Sequence, residues 1–499
     1  LLAQSDLPSP AEKVQAQPQS PTAAQAERER ISKADPANSD VDLELTDVIA
    51  STYRAFPLLE IARLQRGVAS GMQTSAWGAY DTKLEYYSLN QPVGFYETYR
   101  QGIGAARQLW WGGYASAGYR IGRGEYEPWY KERETNDGGE FRLALVQPLL
   151  QGRAIDPQRV ELFQANLQRQ AVNPEIQQQL LIASKDAAFA YWIWVEAGNE
   201  LKARELLLEI AVQRGRQLTR SFEAENASKL DVDLNAAQIY DRELKVNESK
   251  QKFRDAAFKL SLFLRDESGA PLLAPPDWLP AFPRLIEMPP GDLESDLRDA
   301  LSRRPELSLI ALDMQSLRWD LSLAQNQMLP NLDLTVQSRQ GVGDPPSSTN
   351  DKGPFQLEAG VVGGVPIQRR KPLGKIQSTQ SKLAQLSQKY EFQRNKIGVE
   401  LRMARNALDT AQINARTANQ LVDRANAALD GFQKGNEAGL YDFAWVLNQE
   451  IKVTESQVKL LEAQRAYYVA LAEMQAALGL DPLEQAESLR GLQTSQPAR

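Results

Sequence analysis

The 499 residues include no cysteine and no histidine. Without cysteine there is no disulfide frame, no thiol nucleophile, no thiolate metal site and no lipidated anchor. Without histidine there is no Ser-His-Asp triad, no Cys-His pair and no imidazole metal ligand. These absences close off most common hydrolase and zinc chemistry. We therefore expect no enzyme, no catalytic residue, no metal site and no cofactor. A basic surplus is missing as well. The formal net charge is −7 and the pI about 5.2, whereas a nucleic-acid partner asks for a basic field. Long apolar runs are also lacking, and no stretch reaches the roughly 18 residues that a membrane helix needs. Barrel strands leave no such peak, because about ten alternating residues suffice to span the membrane.

What the chain does have is a duplication. A Pro-centred helix start, alternating strands and a very long helical hairpin occur twice. The first repeat is read as 41–265, with strands at about 77–148 and a hairpin at about 153–264 whose tip lies near 225–231. A Pro-rich linker follows at 266–292. The second repeat is 293–480, with strands at about 331–366 and a hairpin at about 375–479 whose tip lies near 434–441. Residues 1–40, rich in Gln, Pro, Ala and Ser, are expected to be disordered. Leu1-Leu2-Ala3 resembles the end of a secretory signal cut after Ala3, and 481–499 form a tail. Two copies of a unit too elongated to make a globule point to a wall or tube.

The strand-like segments alternate with period two. Tyr80, Thr82, Leu84 and Tyr86 oppose Asp81, Lys83 and Glu85; Leu332, Leu334 and Val336 oppose Asp333, Thr335 and Gln337. Trp77, Trp110, Trp111, Tyr119 and Trp129 mark either aromatic belts of a membrane barrel or core aromatics of an ordinary sheet. The first strand region is the longer, which predicts an extra hairpin around Phe95–Gly124. Alternation does not say whether that hairpin joins the wall.

The helical arms carry the strongest local signal. Leu383, Leu386, Tyr390, Ile397, Leu401, Ala404, Leu408, Ala411, Ala415 and Ala418 continue a heptad seam to Phe432. At helical rise, Lys375 to Phe432 extends on the order of 85 Å. Arms of that length need neighbours all along, so oligomerisation is expected.

Taken together, these pieces resemble the TolC-type outer-membrane efflux proteins. The resemblance rests on the duplication; on Arg304-Pro305-Glu306-Leu307 followed by Ala324 and Leu329-Pro330-Asn331-Leu332; on Val365-Pro366-Ile367 before a long Ala/Gln-rich helix; and on Phe432-x-x-Gly435 at a tip, with Leu478-Gly479-Leu480 at the end. It implies a mainly α fold with a membrane β-barrel portion. In such a fold a duplicated strand pair plus long helical hairpin builds a trimeric β-barrel continued by an α-helical barrel. It further implies a homotrimer in outer-membrane lipid with its helices in the periplasm, working with a periplasmic adaptor protein and an inner-membrane transporter as a passive efflux or type I secretion duct. A periplasmic coiled-coil adaptor or structural spacer without a channel is the alternative.

The candidate site is the pair of hairpin tips. Asp231, Asp233 and Asp442, with Tyr441 beside them, would form rings of like charge that constrict and gate a pore. Asp231 is equally a candidate helix cap. Ala227, Ser228, Leu230, Gly435, Asn436, Gly439 and Leu440 resemble the adaptor-docking turns. Gly435 and Gly439 can take positive φ and let another helical tip approach closely, or serve plain turn chemistry. The first tip has Glu225 where the second has Gly435, and the acidic position is shifted by one between them.

Overall fold

The computed structural model describes residues 42–126, 133–225, 227–285, 292–346 and 354–481. The expected segment 1–40, the cut after Ala3, Trp129, Pro289-Pro290 and the tail from 482 onward lie outside them.

Each repeat opens with two short helices. In the first these are α1 (Leu45–Ala55) and α2 (Pro57–Trp77). Strands β1 (Lys83–Gln91), β2 (Thr98–Gln108), β3 (Tyr114–Gly124) and β4 (Glu140–Pro148) follow. The hairpin is α3 (Pro157–Glu223) and α4 (Lys229–Leu260). The second repeat has α5 (Leu293–Arg303), α6 (Pro305–Asn326), β5 (Asn331–Gly341), β6 (Phe355–Gly364), α7 (Arg370–Glu437) and α8 (Phe443–Leu478).

Proline sets the helix starts. Pro57, Pro157 and Pro305 sit in the first turn of their helices, where the missing N–H costs nothing. Ahead of Pro157, the Asp156 carboxylate accepts the Arg159 N–H at 2.7 Å and caps α3. Gly479 closes α8 in the left-handed conformation, φ +69.

The strands form one antiparallel sheet in the order β1-β2-β3-β4-β5-β6. The extra hairpin, β2-β3, is therefore part of the wall, inserted between β1 and β4. Register shows two unlike faces. One row across the sheet reads Leu84, Ala105, Ala117, Leu143, Ser338, Leu357, and a second reads Tyr86, Ile103, Tyr119, Phe141, Gln340, Phe355. Leu84, Tyr86, Ile103, Phe141, Leu143 and Leu357 on these rows are exposed large apolar side chains. The opposite face carries Glu85, Arg142, Arg339 and Gln356 in one row. Apolar outside and ionised inside is the pattern of a barrel wall in lipid. Trp77 and Trp110 stack at 6.0 Å where α2 meets the sheet, and Trp111 is exposed nearby. Among the described residues no helix is long and apolar enough to cross a membrane.

The helices pack along their lengths, α3 on α4 and α7 on α8, with α3 also touching α6 and α8. Ile397, Leu401, Ala404, Leu408, Ala411, Ala415 and Ala418 are buried. These are the seam positions read from the heptads. The main core gathers Trp194, Val195, Leu260, Leu401 and Tyr467. The Pro-rich linker does more than cover a surface, because Ala274 and Leu279 enter that core. Its carbonyls accept as well: Trp278 from Leu43 N–H at 2.9 Å, Pro280 from Asn199 at 2.9 Å, and Pro283 from the Tyr468 hydroxyl at 2.9 Å.

Candidate gate and docking tips

At the first tip α3 ends at Glu223. Ala224 N–H still donates to Arg220 O at 3.1 Å, and Glu225 turns the chain at φ +62. A side chain at that φ is strained. Ser228 caps α4, its hydroxyl accepting the Leu230 N–H at 3.0 Å. Asp231 reaches back to the Ser228 N–H at 3.3 Å and completes a capping box. Asp233, two residues on, is exposed.

The second tip is built differently. Helix α7 runs on through Gly435 to Glu437, and the left-handed residue is Gly439, φ +72. Of the two tip glycines only Gly439 uses positive φ, since Gly435 is helical and buried. Its hydrogen matters for another reason: the Tyr441 ring lies where a Cβ would stand. The place of Glu225 is taken by Gly439 and not by Gly435, because α7 continues further past Phe432 than α3 does past Phe222. Leu440 N–H donates to Gly435 O at 2.8 Å, and the Asn436 side chain to Tyr441 O at 2.8 Å. Tyr441 meets Phe432 edge-on at 5.1 Å, and Phe432 stacks on Trp445 at 6.0 Å.

Asp442 is the N-cap of α8, but its side chain makes no capping hydrogen bond. Ser228 holds the equivalent place in the first repeat. The acidic residues of the two tips are therefore three positions apart on their helices, Asp442 at the N-cap and Asp231 at the third helical residue. Asp233 and Asp442 point carboxylates at solvent. Asp231 is half-buried and engaged by its own backbone. Ala227 is half-buried, whereas Ser228, Leu230, Gly439 and Leu440 are exposed at the ends of the arms, with Leu230 66% and Leu440 75% accessible.

A feature the sequence reading missed lies a few turns from the tips. Glu450 of α8 receives Arg214 of α3 at 2.5 Å and Arg242 of α4 at 3.1 Å. Arg242 also donates to Leu207 O at 2.6 Å. All three are largely buried, so the ions pair across the boundary between the repeats. The sequence signal was Glu450 set among Val446, Leu447 and Val453 on the seam of α8.

The outer membrane efflux protein family matches residues 297–480. The second repeat is thus similar to that family. Solved structures extend the likeness to nearly the whole chain. The Campylobacter jejuni outer membrane channel CmeC is 13% identical, with TM-score 0.61, covering 97% of this chain and 97% of its own. The outer membrane protein VceC of Vibrio cholerae is 16% identical, with TM-score 0.61, covering 92% and 99%. The Neisseria gonorrhoeae outer membrane channel MtrE is 14% identical, with TM-score 0.61, covering 89% and 93%. No curated protein matches the sequence. At these identities the structures establish the fold alone: a six-stranded sheet continued by two long helical hairpins, arranged as in these channels.

Proposed function

We propose that this efflux-family chain is the exit duct of a tripartite efflux or type I secretion system. Three copies close one barrel and one tunnel, and an inner-membrane transporter docks through a periplasmic adaptor. The observation that carries this reading is the open six-stranded sheet with an exposed apolar face and an ionised face. Its edges, β1 and β6, have backbone groups that lipid cannot satisfy, so they must pair with other copies. Six strands from each of three copies make eighteen, a size at which a barrel holds an aqueous bore. The arms have the same need, since Phe392, Val399, Met403 and Ile413 leave an apolar stripe of α7 exposed.

The tips are the narrow end in this reading. Asp233 and Asp442 form carboxylate rings, Asp231 positions its turn through the capping box, and Tyr441 wedges against Gly435 to hold the second turn. Ala227, Ser228, Leu230, Asn436, Gly439 and Leu440 present the docking surface, with Gly435 shaping it from beneath. The duct moves cargo passively and needs no catalytic group. A planar bilayer tests this. Pure protein should conduct with a cation preference, and Asp233→Asn with Asp442→Asn should weaken that preference. Absence of any conductance from the pure, folded protein would overturn the duct.

A further inference from the structure

The inner face of the sheet has a charge pattern opposite to that of the tips. Arg142 on β4 stands directly opposite Arg339 on β5. Arg120 on β3 is one row nearer the strand-connecting loops, facing Glu140. Arg100 on β2 is opposite Gly122, one row further still. Four adjacent strands thus each supply one arginine to the same face, at the end of the sheet away from the helices. Those three rows hold only Glu85 and Glu140 as acids, a surplus of two positive charges in a chain whose overall charge is −7. Glu358, one row toward the helices, is the nearest acid on β6.

Glu140 bridges two of these arginines. Glu140 Oε1 accepts from Arg120 Nε at 3.1 Å and from Arg142 Nε at 2.5 Å, so one carboxylate oxygen serves two guanidiniums. Like charges directly opposite on a sheet repel. Arg142 Nη2 is buried without a hydrogen-bond partner. A cleft lined by Arg120, Arg133, Glu140, Arg339, Gln356 and Glu358 opens at this place. Arg120 is 2% exposed and also donates to Arg133 O at 3.1 Å, so it forms the floor. Arg142 and Arg339 are partly exposed on this face.

We propose that Arg142 and Arg339, backed by Arg120 and Arg100, form an anion-binding belt at the outer mouth of the barrel. Its ligand class is multivalent oxyanions, phosphate or carboxylate in chemistry, which satisfy guanidinium forks and relieve the Arg142–Arg339 repulsion. The belt rests on the duct reading, since only a closed barrel repeats it around one bore. It also assigns a role to the inserted hairpin: β2-β3 widens the wall and brings two of the four arginines. The duct then has fields of opposite sign at its two ends, acidic at the tips and basic at the mouth.

The test is single-channel recording with tripolyphosphate added to the side of the strand-connecting loops. The wild type should show concentration-dependent block from that side, weaker when the anion is added from the helical side. Arg142→Gln with Arg339→Gln should raise the blocking concentration roughly tenfold, and Arg142→Lys with Arg339→Lys should retain much of the block. Hexamminecobalt, a trivalent cation that tests whether the variant pore is intact, should act equally on all three. Block unchanged in the Gln variant, or equal from both sides, overturns the belt while leaving the duct standing. Absence of conductance in every protein overturns both.

Discussion

Asn235 and Gln449 hold the same place in the two repeats. Each lies seven positions after the N-cap of its helix, Ser228 or Asp442. Each donates its side-chain amide to an alanine carbonyl of the facing arm: Asn235 to Ala211 O at 3.4 Å and Gln449 to Ala425 O at 3.1 Å. The duplication therefore extends to single buried hydrogen bonds that tie arm to arm. Replacing either residue by alanine should cost about 1–2 kcal/mol, since it removes a buried hydrogen bond and leaves a small void. Denaturant unfolding followed by circular dichroism checks this. Of the two, Gln449→Ala should be the costlier, because its hydrogen bond is the shorter.

Where Arg242 meets Glu450, the repeats differ. The position equivalent to Arg242 in the second repeat is Ser456, also buried, which donates to Val453 O at 2.7 Å. Only one copy thus carries the ion pair, and it links to the other copy through Glu450. Glu450→Ala would leave two largely buried guanidiniums, Arg214 and Arg242, without their carboxylate. The expected loss is about 3–5 kcal/mol. Limited proteolysis should show earlier cleavage in α4 and α8 near the tips, with the strand sheet unaffected. Equal cleavage of Glu450→Ala and wild type would mean that the triad does not join the repeats.

Much of this fold was legible in the sequence, because its signals are periodic. Ile397, Leu401 and Leu408 announce a seam by spacing alone, and all three are buried. Leu143, Leu145 and Leu357 announce a wet-and-dry sheet by alternation. What escaped is what periodicity does not encode. Arg142 and Arg339 are 197 positions apart in the numbering, and only strand register sets them side by side. Ser228 and Asp442 begin their helices at equivalent places, yet the letters set Glu225 against Gly435, since they do not show that α7 outruns Gly435. Whether the inserted hairpin joined the wall was likewise a question of pairing, not of composition.

Tyr441 and Gly435 form a lock at the second tip. A methyl group at position 435 would overlap the Tyr441 ring, so Gly435→Ala must displace the tyrosine and with it the Phe432–Trp445 stack. The expected cost is about 1–3 kcal/mol. Tyr441→Ala in the same chain should recover most of it, giving a coupling well outside additivity. Trp445 fluorescence reports the local change directly. Gly439→Ala, strained by its φ of +72 with open space around it, should cost about 1 kcal/mol and should show no such rescue.

Alkaline pH should unfold the helical part through two tyrosines. Tyr191 donates to Leu43 O at 2.8 Å, and Tyr468 to Pro283 O at 2.9 Å. Burial pushes both phenols well above the ordinary tyrosine value of 10.0, and for Tyr191 the carboxylates of Asp47 and Glu44 push further. A phenol whose folded-state pKa is raised is favoured neutral in the folded chain. Its contribution is fully present below the unfolded value and is lost as pH rises through the folded one. The helical signal should therefore hold to about pH 10 and then fall. The slow component of phenolate absorbance should rise together with that fall, since ionisation of these two groups requires opening. Tyr191→Phe and Tyr468→Phe should move the alkaline midpoint upward while costing about 1 kcal/mol each at neutral pH from the lost hydrogen bond. A smooth phenolate titration that is complete before any helix is lost would show that neither hydroxyl is locked in the core.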